Sequence, residues 1–160
     1  MLVGRTARPP DEDHDTDGTD LAPEPPPTAG ARALWFLLAM IASVLLLAIT
    51  SQISLEVAVI PFLWMLPLAL YLLSFVLCFE YEGSYRRTLW IPLLMVCAGC
   101  TAAVLLIGVS APMLVQLCTY LVTLLAACMV CHGELVRRKP GAHHLTSFYL
   151  LVSAGGAAGG

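Results

Sequence analysis

Long runs of apolar residues at 33–50, 57–79, 89–109 and 113–130 follow one another with only short polar links between them, and a further run begins at 145. At about 1.5 Å of rise per residue, roughly 20 apolar residues cross a hydrocarbon core of about 30 Å, where only helices or closed barrels satisfy the backbone. These runs are continuous rather than alternating, so they predict helices. Charged residues make up 12% of the chain and hydrophobic residues 59%, whereas a soluble domain carries roughly 25% charged residues. The expected fold class is an all-α integral membrane protein with four transmembrane helices plus the start of a fifth, 145–160. A disordered tail is expected to precede them.

That tail covers residues 1–30 and the membrane domain residues 31–160. It holds Pro9, Pro10, Pro23, Pro25, Pro26 and Pro27 and seven of the eleven acidic residues, with almost no large apolar side chain. Such a segment buries too little surface to offset its chain entropy. It is not a secretory signal, because the region before the first apolar run is long and acidic. The net charge of -3 and the lack of a basic patch interleaved with aromatics argue against nucleic-acid binding. The expected partners are the lipid bilayer and either a C-terminal soluble domain or partner helices.

Orientation follows from Lys and Arg. With the N-terminus in the cytoplasm, Arg32, the pair Arg86 and Arg87, and the trio Arg137, Arg138 and Lys139 all lie inside, while both outer links carry neither residue. Residues 51–56 are expected as an outer link, with Gln52 and Glu56 as a polar site at that surface. Pro61 and Pro67 are expected to kink the second span. Ser110-Ala111-Pro112 predicts a tight reversal and an antiparallel hairpin of the third and fourth spans. Gln116, Thr119, Tyr120 and Thr123 share one face of the fourth span, read as interhelical hydrogen-bonding groups in preference to a transport path.

The longest polar interruption runs from Cys131 to Tyr149 and contains three of the four histidines and three of the eight basic residues. Cys128-Met129-Val130-Cys131-His132 spells C-x-x-C-H, the pattern of covalent c-type haem attachment. It straddles the cytoplasmic end of an apolar span with its first half in hydrocarbon, so packing cysteines followed by an interfacial histidine is the preferred reading. Cys97 and Cys100 lie in mid-span, where a thiolate is disfavoured. Cys131, His132, Glu134, His143 and His144 are metal-competent, yet spacing alone does not make them converge. No cofactor, metal site or catalytic residue is expected. At the end of the fifth run, Gly155, Gly156, Gly159 and Gly160 form two overlapping G-x-x-x-G pairs suited to close helix packing.

Two blocks carry a resemblance. Ile49-Thr50-Ser51-Gln52-Ile53-Ser54 with the run from Val57 to Phe75, and Cys131-His132-Gly133-Glu134-Leu135-Val136-Arg137 with Leu145-Thr146-Ser147-Phe148-Tyr149-Leu150 and the glycines, resemble the N-terminal membrane region of bacterial fused spermidine synthase-like proteins. The resemblance covers about residues 49–160. It implies a multi-span inner-membrane module, sometimes described as major-facilitator-like, and a cytoplasmic Rossmann-type domain similar to polyamine aminopropyltransferases. The catalytic acids and cofactor loop of those enzymes belong to that soluble domain, so no catalytic residue is carried over here. On this reading the chain is a non-catalytic part of such a protein, and His132, Glu134, Arg137 and Arg138 form a cytoplasmic docking turn. Two other readings stay open: part of a transporter for a small cationic solute such as a polyamine, using Gln52 and Glu56, and a small membrane assembly subunit.

Overall fold

The computed structural model describes residues 26–56, 62–80, 83 and 85–160. Its elements are α1 (Ala29–Glu56), α2 (Met65–Glu80), α3 (Arg87–Ile107), α4 (Met113–Arg137) and α5 (Leu145–Gly159), with 3-10 turns at Gly108–Ser110 and Ala142–His144. No strand occurs among the described residues. Three helices, α1, α3 and α4, are long and apolar enough to cross a membrane. The 16 residues of α2 reach only about 24 Å, so the described residues show three spans rather than four, and α5, at 15 residues or about 22 Å, occupies the short fifth run.

The expected link at 51–56 continues α1 instead. Two hydroxyls bond back to the helix itself: Thr50 Oγ1, just before this stretch, donates to the Leu46 carbonyl at 2.7 Å, and Ser54 Oγ, within it, to that of Thr50 at 2.8 Å. With neither Gly nor Pro in the stretch, nothing interrupts the helix. The second span, expected over 57–79, is described as helix only from Met65. Pro61 lies outside the described residues, and Pro67 is the third residue of α2. A missing N–H costs nothing in a first turn, so Pro67 does not kink the helix. Pro92, inside α3, is the proline that removes a helical donor.

Packing is organised around α4, which touches α1, α2 and α3, while α5 lies along α1. Ile49 and Ile53 of α1, Val104 of α3, and Tyr120, Leu124 and Cys128 of α4 make one buried cluster. Trp35, Leu135 and Phe148 make another where α1, α4 and α5 meet. The outer surface is apolar: Leu106, Leu114, Met95 and Phe62 are all largely exposed. Bilayer, not water, accommodates such a surface.

Polar groups within the bundle are paired. Thr101 Oγ1 lies 2.7 Å from Thr123 Oγ1, which donates to the Cys97 carbonyl at 3.2 Å, and Gln116 Nε2 donates to the carbonyls of Gly108 and Ala111 at 3.2 and 3.0 Å. These bonds hold the α3–α4 hairpin and its turn. The turn itself needs Gly108, whose φ of 60 is left-handed. Between α1 and α5, which run in parallel, Gly155 and Gly159 lie directly on the main-chain carbonyls of Phe36 and Met40.

Candidate functional site

The N-termini of α1, α3 and α5 and the C-termini of α2 and α4 gather at one end. Trp35 Nε1 on α1 donates to the Arg138 carbonyl at 3.1 Å, and its ring meets Phe148 of α5 edge-on at 5.2 Å. Every Lys and Arg among the described residues, namely Arg32, Arg86, Arg87, Arg137, Arg138 and Lys139, belongs to this end.

Glu134 stands at its centre, on the last turn of α4, with a side chain only 12% exposed. Four groups converge on its carboxylate. Tyr85 Oη donates to Oε1 at 3.1 Å, Arg87 Nε lies 3.5 Å and Arg137 Nη1 3.6 Å from the same oxygen, and Arg138 Nε lies 3.5 Å from Oε2. Spacing of three and four residues along α4 brings Arg137 and Arg138 to Glu134. Tyr85 and Arg87 come from the start of α3, so the cluster clasps α3 to α4. Gly133 makes room for it: a Cβ there would run into the Tyr85 ring. Burial, then the hydrogen bond and charge of Glu134, push the Tyr85 phenol up to about 12, against a weaker opposing pull from Arg87 and Arg137.

Below this lies a groove of about 230 Å³ between α1, α3 and α4. Leu34, Leu38, Ile91 and Val130 form its apolar wall, and Arg87, Glu134 and Arg138 its polar rim.

The expected docking turn takes a different form. Residues 131–137 continue α4, since no proline comes before Pro140, the single glycine is tolerated, and their polar groups find partners; the reversal occupies 138–141. His132 is 2% exposed and faces inward. Its Nδ1 lies 3.0 Å from Ser74 Oγ, and Tyr71 and Phe75 pack edge-on against the ring at 5.0 and 5.3 Å. The Ser74 hydroxyl donates to the Tyr71 carbonyl at 2.7 Å, which leaves Nδ1–H of His132 as the donor to Oγ. His132 therefore ties α4 to α2 and presents nothing at the surface, whereas Arg137 and Arg138 are about half exposed.

Gln52 and Glu56 lie on the last turns of α1, at the opposite end of the bundle. The Glu56 side chain falls outside the described residues. Gly155 and Gly159 meet α1, Gly156 finds its nearest neighbour in Ser43 Oγ, and Gly160 follows the end of α5. Among the described residues no three His, Cys, Asp or Glu side chains gather as a metal site, and all six cysteines are free thiols. Tyr85, Arg87 and Ser74 were not expected as site residues, Arg87 entering only as a topological signal. The signal for the first two was a Tyr-x-Arg spacing opening α3, opposite a lone acid in a basic stretch.

Comparison of the chain with protein-family models, with curated proteins and with solved structures finds no match.

Proposed function

We propose that this chain is a multi-pass domain of a bacterial inner membrane with its N-terminus in the cytoplasm, and that it is the membrane region of a spermidine synthase-like protein. In this role it is non-catalytic. It anchors and positions an aminopropyltransferase-like soluble domain, which docks on the exposed faces of Arg137, Arg138, Lys139 and Arg86. The observation that carries this reading is the gathering of all six described Lys and Arg residues at one end of an apolar bundle, the asymmetry that retains a face in the cytoplasm. His132 has no part in the docking face, because it is buried.

Reporter fusions test the orientation. Alkaline phosphatase, active only outside the cytoplasm, is expected to be silent when fused at Gly141 and active when fused at Ala111; the opposite result overturns the orientation. Docking is tested in the host membrane by replacing Arg137 and Arg138 with Ala. Loss of the association between this region and an aminopropyltransferase-like domain is expected, and unchanged association and activity would refute the docking role. Uptake of labelled polyamine into vesicles that depends on Glu56 would replace this reading with transport.

A further inference from the structure

We infer that the groove between α1, α3 and α4 is a binding site for one anionic glycerophospholipid, whose phosphate sits between Arg87 and Arg138 and whose acyl chain lies along Leu34, Leu38, Ile91 and Val130. The inference rests on the membrane reading above and goes beyond it by naming a ligand and its residues.

Three observations converge. The groove is layered as a lipid is, with four aliphatic side chains on one part of its lining and charged groups on the rest. Its rim carries an excess of positive charge: Arg87 and Arg138 share the single carboxylate of Glu134, which Arg137 from outside the groove also approaches, so at least one cationic charge of the rim is uncompensated. The guanidinium groups are also placed to act. Arg87 and Arg138 line the groove with side chains 58% and 51% exposed, while Glu134, at 12% exposure, is surrounded by its own donors. Glu134 thus orients the two arginines without repelling an anion from their outer sides. A planar guanidinium matches a phosphate in two parallel hydrogen bonds, so a pair of them flanking one phosphate selects for it by geometry as well as charge. The occupant is a lipid rather than a free anion because the apolar wall continues directly from the rim, and α1 and α3 have no extensive packing against each other that would close it.

The test is native mass spectrometry of the full chain in detergent, titrated with phosphatidylglycerol, with phosphatidylcholine and with inorganic phosphate. Phosphatidylglycerol is expected to be retained as a single adduct at concentrations at least tenfold below those needed for phosphatidylcholine. Replacing both Arg87 and Arg138 with Gln is expected to weaken retention about thirtyfold, from the usual contribution of two basic residues at an anionic surface. Ile91→Trp fills the apolar part without touching a charge. It is expected to abolish the adduct while the circular dichroism and the thermal midpoint stay unchanged, which separates a lost site from a lost fold.

Equal retention of the two lipids overturns the proposal, as does an adduct that survives Ile91→Trp. Competition by inorganic phosphate at the same concentration as the lipid would show a free-anion site instead and overturn it equally. Alkaline carbonate extraction of host membranes keeps the two proposals apart. A chain that stays in the membrane pellet but shows no lipid preference refutes the lipid site alone, and a chain released into the supernatant refutes the membrane reading beneath it.

Discussion

The indole of Trp35 donates a hydrogen bond at 3.1 Å to the main-chain carbonyl of Arg138, 103 residues away. That carbonyl is one of those left without a helical partner just past the C-terminus of α4, and the bond satisfies it from α1. The ring is 2% exposed and packs edge-on against Phe148, so one side chain joins the ends of three helices.

Replacing Trp35 with Phe keeps most of the ring packing and removes the donor. The expected cost is about 1–3 kcal/mol, the usual penalty for leaving one buried hydrogen-bond partner unsatisfied. Reversible unfolding of the detergent-solubilised chain by titration with sodium dodecyl sulfate measures it. An unchanged midpoint would show that water reaches the Arg138 carbonyl.

The α1–α5 contact predicts a graded response along one glycine run. A Cβ at Gly155 would strike the Phe36 carbonyl and one at Gly159 the Met40 carbonyl, whereas at Gly156 the nearest atom, Ser43 Oγ, stands at 3.7 Å. Gly155→Ala and Gly159→Ala are each expected to destabilise by about 1–3 kcal/mol, because rigid backbone must move. Gly156→Ala is expected to be neutral in the same unfolding assay. Equal effects at all three positions would mean that α5 does not use this face.

The sequence pattern made the helical class, the α3–α4 hairpin and the charge asymmetry legible, because each depends on composition over many residues or on a local turn. The boundaries were less so. Residues 51–56 and 131–137 are polar enough to suggest links, yet Thr50 and Ser54 bond back to their own helix, and Glu134 and His132 find partners on α3 and α2. Polarity along the chain does not reveal such partners, since they come from 49 and 58 residues away. For the same reason the arginines of the clasp were visible as a topological signal, while their convergence with Tyr85 on one carboxylate required the packing of α3 against α4.

Thr119 and Thr123 provide a matched pair on one helix. Thr123 joins Thr101 to the Cys97 carbonyl across the hairpin, while Thr119 Oγ1 donates to the Val115 carbonyl of its own helix at 2.7 Å and the residue is only partly buried. Thr123→Val is expected to lower stability by about 1 kcal/mol, and Thr119→Val by no more than a few tenths. Thermal unfolding in detergent distinguishes them. A larger loss at Thr119 would place the hairpin seam on the other side of α4.

The clasp makes a prediction about pH. The Tyr85 phenol is raised from an ordinary value of 10.0 to about 12, first by burial and then by Glu134. In the unfolded chain the phenol ionises near 10, while the folded chain keeps its proton until about 12. The stability tied to this group is therefore fully present below pH 10 and is lost as the pH rises towards 12. Difference absorbance titration of the native chain against Tyr85→Phe isolates the phenol, and a midpoint near 12 is expected. Glu134→Gln is expected to move that midpoint part of the way back, because burial remains when the carboxylate charge is gone. Gly133→Ala is expected to move it further, since the added methyl group displaces the ring from its seat and exposes it to water as well. If the phenol titrates at its ordinary value in the native chain, Tyr85 is not held against Glu134, and the clasp between α3 and α4 rests on the arginines alone.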